Sequence, residues 1–296
     1  MASPLILSWR KQKEYWESRI KLLSPAKLNL YLNILGKYKD GFHRIESIIE
    51  KISLFDVVSI RVRKDSQIKV DCSERSIQGE KNLCFKAIEL LKKEFRIPFG
   101  FEVKIKKNIP LGTGLGGAAS DAASVIEGIN FLLDLGLKEK KLFSLGKKIG
   151  SDVNFFLSHS KFALCWGRGE RITPFKAKKL KHLIIWPKIS LSTKRVYQNF
   201  QLHLTKYFDN VKILIYALRK GDIYLIKKNI FNALEKSAFS LCRELKDIKK
   251  YLVKKGIWVK MTGSGSALYT ILERSSSLGY KGIFSKKWKV FEVQTI

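Results

Sequence analysis

Apolar and polar positions alternate in some stretches of this chain and recur at helical spacing in others. In residues 26–34, Ala26, Leu28, Leu30, Leu32 and Ile34 fall on one side and Lys27, Asn29, Tyr31 and Asn33 on the other, the period of a strand. The polar side faces either bulk water or a polar cleft, and spacing alone points to water. Residues 48–63, 67–71 and 101–107 read as further strands, and 82–95 as an amphipathic helix. After 107 comes a glycine loop. Beyond it Ala122, Val125, Ile126, Ile129, Leu132 and Leu133 recur at helical spacing, and a second helical stretch covers 142–149.

The same reading continues to the C-terminus. A hairpin is expected around Gly167-Arg-Gly169, and a strand over 182–187. A helix starts near 192, with Ser192 or Thr193 suited to cap it. Residues 211–255 are largely helical. Residues 257–271 form a strand, a second glycine loop and another strand, and 288–293 a last strand. A turn-rich loop over 36–44 breaks at Asp40-Gly41. A boundary is expected near 174–180. The chain thus divides into an extension, 1–20, expected to be poorly ordered, and two domains, 21–173 and 174–296.

Composition narrows the class. The chain has 296 residues, 45% hydrophobic and 11% aromatic, so it folds as a globular protein with ample core. No apolar run is long enough to span a membrane. Lys and Arg number 57 against 26 Asp and Glu, a formal charge of +31. That balance suits an anionic partner, but the lysines are dispersed along the whole chain, which suits a solvated basic surface. The cysteines, Cys72, Cys84, Cys165 and Cys242, form no C-x-x-C pair. His43, His159, His182 and His203 show no ligand spacing. A zinc site or disulfide framework is not expected, and a reducing cytoplasm fits.

The richest chemistry lies in residues 108–124, Asn-Ile-Pro-Leu-Gly-Thr-Gly-Leu-Gly-Gly-Ala-Ala-Ser-Asp-Ala-Ala-Ser. A glycine loop between a strand and a helix exposes backbone N–H groups at the positive end of the helix dipole, a geometry that binds phosphate. Side chains at Gly112, Gly114, Gly116 and Gly117 would block close approach. The bland alternative is a turn that only caps the helix. The loop lacks Gly-Lys-Ser/Thr, so it is not a Walker A loop. It also lacks the second strand and acidic residue of a dinucleotide fold. No protein-kinase motif is present.

This loop resembles the phosphate loop of the GHMP small-molecule kinases. Residues 24–32 (Ser-Pro-Ala-Lys-Leu-Asn-Leu-Tyr-Leu), 40–47 (Asp-Gly-Phe-His-Arg-Ile-Glu-Ser), 150–156, 191–197 and 261–266 resemble, in order and spacing, the signatures of the 4-diphosphocytidyl-2-C-methylerythritol kinase family. The match runs from about Leu23 to the C-terminus. It implies a two-domain α/β (α+β) GHMP kinase fold. The N-terminal, ATP-binding domain would have a left-handed β-α-β crossover, against the usual hand. The C-terminal domain would be α+β, with the active site between the two. The implied activity is ATP-dependent phosphorylation of the substrate's 2-hydroxyl in the non-mevalonate isoprenoid pathway, in the cytoplasm, with Mg²⁺ accompanying ATP.

For single residues the resemblance implies the following. Asp152 would be the general base, and Lys27 would orient it and stabilise developing charge. Asp152 could otherwise cap the helix after it. The ATP phosphates would be wrapped by Pro110, Leu111, Gly112, Thr113, Gly114, Leu115, Gly116, Gly117, Ala118, Ala119 and Ser120, with Asn82 and Lys107 near the nucleotide. Asn29 would bind the polyol. Phe42 and Tyr197 would sandwich the cytosine, with its edge read at His43. Thr193 and the second loop, Gly263, Ser264 and Gly265, would close on the substrate, unless that loop is only a tight turn.

Two departures stand out. The family usually reads Gly-Gly-Gly-Ser-Ser where this chain has Gly116-Gly-Ala-Ala-Ser120, which leaves the group that assists the metal undetermined. It usually has Tyr-His where this chain has Phe42-His43. The rival readings are another GHMP kinase, of the homoserine or mevalonate type, and a basic nucleic-acid-binding protein. The resemblance sets no oligomeric state; monomer and homodimer both fit. No specific nucleic acid or membrane partner is expected.

Overall fold

The structure is a computed structural model that describes residues 6–10, 16, 18–201, 210–273 and 283–296. His203 and, within the extension, residues 1–5, 11–15 and 17 lie outside that description. The chain begins β1 (Ile6–Arg10), β2 (Arg19–Lys37), β3 (His43–Arg63), β4 (Ile68–Cys72), α1 (Leu83–Phe95) and β5 (Gly100–Lys106). Then come α2 (Gly117–Leu132), α3 (Glu139–Ile149), α4 (Val153–Leu157), β6 (Phe162–Gly167), β7 (Arg171–Phe175) and β8 (Lys181–Trp186). It continues with α5 (Thr193–Gln198), α6 (Asn210–Lys220), α7 (Ile223–Asn229), β9 (Phe231–Asn232), α8 (Glu235–Leu241) and α9 (Arg243–Lys254). The last strands are β10 (Lys260–Met261), β11 (Leu268–Ile271) and β12 (Lys289–Gln294).

By compactness the chain forms two units, neither a single stretch. The first holds residues 1–26, 54–109 and 116–160, the second 27–53, 110–115 and 161–296. Both sides of the expected boundary near 174 therefore fall in the second unit. Pro174 sits in β7, whose described pairing is to β6 alone, where a residue without an N–H is tolerated.

In the first unit the strands run in the order β1, β2, β3, β5, β4. β4 and β5 pair in parallel from Ile68↔Phe101 to Cys72↔Ile105, with α1 between them in sequence, a β-α-β unit. Alternate residues of β3 and β5 (Val58, Ile60, Val62; Phe101, Val103, Ile105) enter a core completed by Ile88 and Leu91 of α1 and Val125, Ile126 and Ile129 of α2. Within the extension, residues 6–10 pair antiparallel with 19–22 of β2. A sheet edge offers free N–H and C=O groups, and Ile6, Ser8, Trp9 and Arg10 pair with them, with a register irregularity between Ile6 and Ser8.

In the second unit the start of β3 pairs antiparallel with β6, from Ile45↔Gly167 to Glu50↔Phe162, and β6 with β7 in the expected hairpin. β9 pairs in parallel with β2 at Tyr31↔Phe231, interrupting the helical stretch expected over 211–255. A second sheet has the order β10, β11, β8, β12. Its Ile185, Met261 and Leu268 pack with Val196 of α5, Leu234 at the N-cap of α8, Leu245 and Leu252 of α9 and Leu32 of β2.

Candidate active site

The phosphate loop enters from β5. Gly112, Gly114 and Gly116 all have positive φ, +64°, +76° and +76°. Gly116 is the N-cap of α2 and offers no side chain to cap it. The N–H groups of the first turn of α2 are thus left for an external acceptor, which is what a phosphate supplies. Within this turn Ser120 Oγ and Asp121 Oδ1 are buried and accept or donate no hydrogen bond among the described residues. Ser120 is the hydroxyl that remains where the family usually has two.

Beneath the loop lies a buried ion cluster in the first unit. Lys107 Nζ donates to Asp56 Oδ2 and, at 2.7 Å, to Asp121 Oδ2. Asp56 Oδ1 accepts from the N–H groups of Asn108 and Ile109 at 2.6 and 2.8 Å. These bonds fix the approach to the glycines. Burial alone would lower the Lys107 ammonium, but the two carboxylates outweigh it and raise it. Burial raises the Asp121 carboxyl to about 7; Asp56 pushes the same way and Lys107 pulls it down. Lys107, placed near the nucleotide by resemblance, thus has its ammonium engaged by two carboxylates. Asn82, placed there too, is the N-cap of α1. Its Oδ1 accepts from Cys84 N–H and its Nδ2 donates to Ile77 C=O, both at 2.9 Å.

The first half of the phosphate loop belongs to the second unit and is sewn to the second glycine loop. The N–H groups of Ser266 and Leu191 donate to Gly112 C=O at 3.2 and 3.0 Å, and Ala267 N–H to Thr113 C=O at 3.2 Å. A Cβ on Gly112 would lie 2.0 Å from Ser190 Oγ, and one on Gly114 would lie 2.3 Å from Thr262 C=O. The reason for these two glycines therefore includes close-packed protein atoms, the Ser190 side chain at Gly112 and the Thr262 backbone at Gly114, as well as any phosphate, a correction to the sequence reading. Gly114→Ala is expected to cost at least about 1–2 kcal/mol, since a Cβ at positive φ is strained even without a clash. An unchanged urea midpoint would refute it. The second loop is more than a turn between strands: Ser264 Oγ lies 2.9 Å from Thr193 Oγ1, joining two residues assigned to the substrate.

The polar face of β2 is buried, against the reading from spacing. Lys27, Asn29, Tyr31 and Asn33 are all at most 7% exposed. Lys27 Nζ donates to Asn29 Oδ1, Asn29 Nδ2 to Ser47 Oγ at 2.8 Å, and Ser47 Oγ to Tyr31 C=O at 2.6 Å. Asn29 N–H donates to Thr262 Oγ1 at 2.9 Å, tying the strand to the second loop. Lys27 N–H donates to Leu115 C=O at 2.9 Å, tying it to the first. Asn29 thereby orients Lys27, a role the sequence reading did not give it. Burying an ammonium costs several kcal/mol unless its bonding is satisfied, so the array is a built feature.

At the end of β2, the 38–42 turn exposes Phe42 (54%). The His43 ring lies 5.2 Å from Tyr197 and edge-on to Phe200 at 6.1 Å. Burial, and then the charge of Lys37, push the His43 imidazole below its usual range. Tyr197 thus meets His43 directly, while one face of Phe42 is covered by Arg168, 4.7 Å from its centroid. In the first unit, Asp152 holds the N-cap position of α4 but makes no capping hydrogen bond. The cap reading of Asp152 loses its geometric support. Asp56, Asp121, Ser47, Thr262 and Arg168 were not singled out from sequence. Asp121 in the phosphate loop, Ser47 in the 40–47 signature and Thr262 in the 261–266 signature lay within the motifs of the resemblance; Asp56 carried no local signal.

Comparison with known proteins gives the family. The family models described as GHMP kinases N terminal domain and GHMP kinases C terminal match residues 82–159 and 214–279. A 4-diphosphocytidyl-2-C-methyl-D-erythritol kinase of Clostridioides difficile is 36% identical over 282 residues, 93% of this chain and 95% of that protein. One of Acetivibrio thermocellus is 34% identical over 94% of this chain and 99% of its own. The crystal structure of a 4-(cytidine 5'-diphospho)-2C-methyl-D-erythritol kinase matches with a TM-score of 0.72 at 27% identity, covering 93% of this chain and 98% of that one. A homoserine kinase from Cytophaga hutchinsonii matches with a TM-score of 0.73 at 18% identity, over 98% and 97% of the two chains, and shares the fold.

Fold and loops together define an ATP-dependent small-molecule kinase of the GHMP type. Within that class, the chain belongs to the family of 4-diphosphocytidyl-2-C-methyl-D-erythritol kinases. The homoserine and mevalonate alternatives rest on fold likeness alone, at 18% identity. Among the described residues no helix is long and apolar enough to cross a membrane.

Proposed function

We propose that this chain transfers the γ-phosphoryl group of ATP to the 2-hydroxyl of 4-diphosphocytidyl-2-C-methyl-D-erythritol. The observation that carries the reading is the buried array Lys27–Asn29–Ser47, which keeps an ammonium fixed on a strand expected to bind the acceptor alcohol. Asp152 takes the proton of the attacking hydroxyl, and Lys27 offsets the charge that develops on the transferred group. The uncapped first turn of α2 holds the phosphates through its N–H groups.

Mg²⁺ accompanies ATP in this reading. Ser120 Oγ and Asp121 Oδ1 are hard oxygen donors without partners, the type that ion accepts, so Ser120 is the residue proposed to assist it and Asp121 the one behind it. When bound, the ion neutralises charge on the phosphates. Asn82 and Lys107 shape the nucleotide side from beneath, as a helix cap and an ion cluster. A cytoplasmic setting is supported by four free cysteines. The domain division near 174 is kept as part of this proposal, the matched N- and C-terminal family regions lying on either side of it.

The cytosine is placed at Phe42, Tyr197 and His43. Stacking on an aromatic ring is worth roughly 1–3 kcal/mol per base. Phe42→Ala and Tyr197→Ala are each expected to lower kcat/KM for the cytidyl substrate by that equivalent, with the KM for ATP unmoved. A rise confined to the KM for ATP would place these rings at the other nucleotide. ATP consumption measured against a panel of cytidine-diphosphate alcohols, homoserine and mevalonate tests the activity itself. Turnover of homoserine or mevalonate alone would overturn it.

A further inference from the structure

We propose that Arg168 is the positioning residue of the pyrimidine end of the site: its guanidinium backs one face of Phe42 and locks the 38–42 turn, so that the other face is presented to the base. The inference rests on the stacking role proposed above for Phe42.

The support for Arg168 is rigid. It sits between Gly167 and Gly169, at φ +78° and +110°, in the turn joining β6 to β7. Its N–H donates to Glu170 Oε2 at 2.6 Å, and Gly169 N–H to Trp166 C=O at 3.2 Å. Gly167 pairs with Ile45, two residues from His43, so the turn is carried to the pyrimidine end by sheet register. From there the guanidinium lies 4.7 Å from the Phe42 centroid and 5.3 Å from the Tyr38 centroid.

The same guanidinium pairs with Asp40 Oδ2, while Asp40 Oδ1 accepts the Phe42 N–H at 3.2 Å. Tyr38 N–H donates to Phe42 C=O at 2.7 Å. Backbone, carboxylate and ring are thereby held as one closed set. Phe42 is more than half exposed, so its ring has little core to order it. An unordered ring would lose freedom on meeting the base, and ordering it beforehand removes that cost. A planar guanidinium can stack and donate to the carboxylate at once; a lysine ammonium does one or the other.

The test uses steady-state kinetics and competition by cytidine and CDP. Arg168→Ala is expected to raise the KM for the cytidyl substrate about 2- to 5-fold, the scale of an exposed cation–π contact. Its kcat, its KM for ATP and its melting temperature should stay unchanged. Arg168→Lys should recover only part of the loss. Uncharged cytidine should weaken as much as CDP, and Arg168→Ala on a Phe42→Ala background should add nothing. A loss seen with CDP and not with cytidine would make Arg168 a diphosphate contact and overturn the proposal. So would a fall in kcat at constant KM. Phe42→Ala impaired with Arg168→Ala intact overturns this inference alone, whereas an unimpaired Phe42→Ala overturns the stacking reading and this one with it.

Discussion

Asp152→Asn is expected to lower kcat by about 10²–10⁴-fold, the contribution of a positioned general base. Asparagine keeps the size and shape of the side chain and removes the basic oxygen. Asp152 stands at the N-cap of a five-residue helix, and its side chain makes no cap hydrogen bond there. No capping energy is therefore lost, and the variant should still fold. ATP binding, measured by calorimetry without the acceptor, should also hold, because the uncapped turn of α2 is untouched. A variant that kept near-wild-type kcat and lost stability would return Asp152 to the role of a helix cap.

The second large effect is on stability. Lys107→Met should destabilise the protein by roughly 3–5 kcal/mol, the usual result of removing one partner of a buried ion pair. The side chains of Lys107, Asp56 and Asp121 are each at most 2% exposed, so water cannot take the lysine's place. The loss should depend on pH in a set direction. Burial already raises the Asp121 carboxyl to about 7, and the ammonium is what pulls it down. Without it the folded state binds the proton still more tightly than the unfolded chain does, so stability falls as pH rises through neutrality. The deficit against wild type should be smaller at pH 5 than at pH 8, as read from chemical unfolding. An equal deficit at both would mean that the carboxylates are not the source.

The local pattern marked the site better than it described it. Strand, glycine loop and helix over 101–133 were legible because their periods, 2 and 3.6, are properties of neighbouring residues, and four glycines within residues 112–117 have few uses. The cap at Ser192 was legible for the same reason, its side chain accepting from the N–H of Arg195. Asp56 was not. It meets Lys107 across 51 positions, and nothing near it in sequence announces a buried carboxylate. Arg168 reads as a hairpin residue between two glycines, and its contact with Asp40 spans 128 positions.

By itself the sequence determined the elements, the phosphate loop and, through motifs in register, the family to which the chain belongs. It could not determine the environment of those residues. The period of β2 placed Lys27 and Asn29 on one face, and spacing alone then pointed that face to water. Only tertiary structure buried it, because Ser47 comes from the neighbouring strand and Thr262 from a loop 233 residues away. The glycines of the first loop were assigned to a phosphate, whereas Gly114 also makes room for the backbone of the second loop and Gly112 for Ser190. The physical reason is common to both cases. Periodicity records which residues share a face, but burial and hydrogen bonding depend on what the rest of the chain lays against that face.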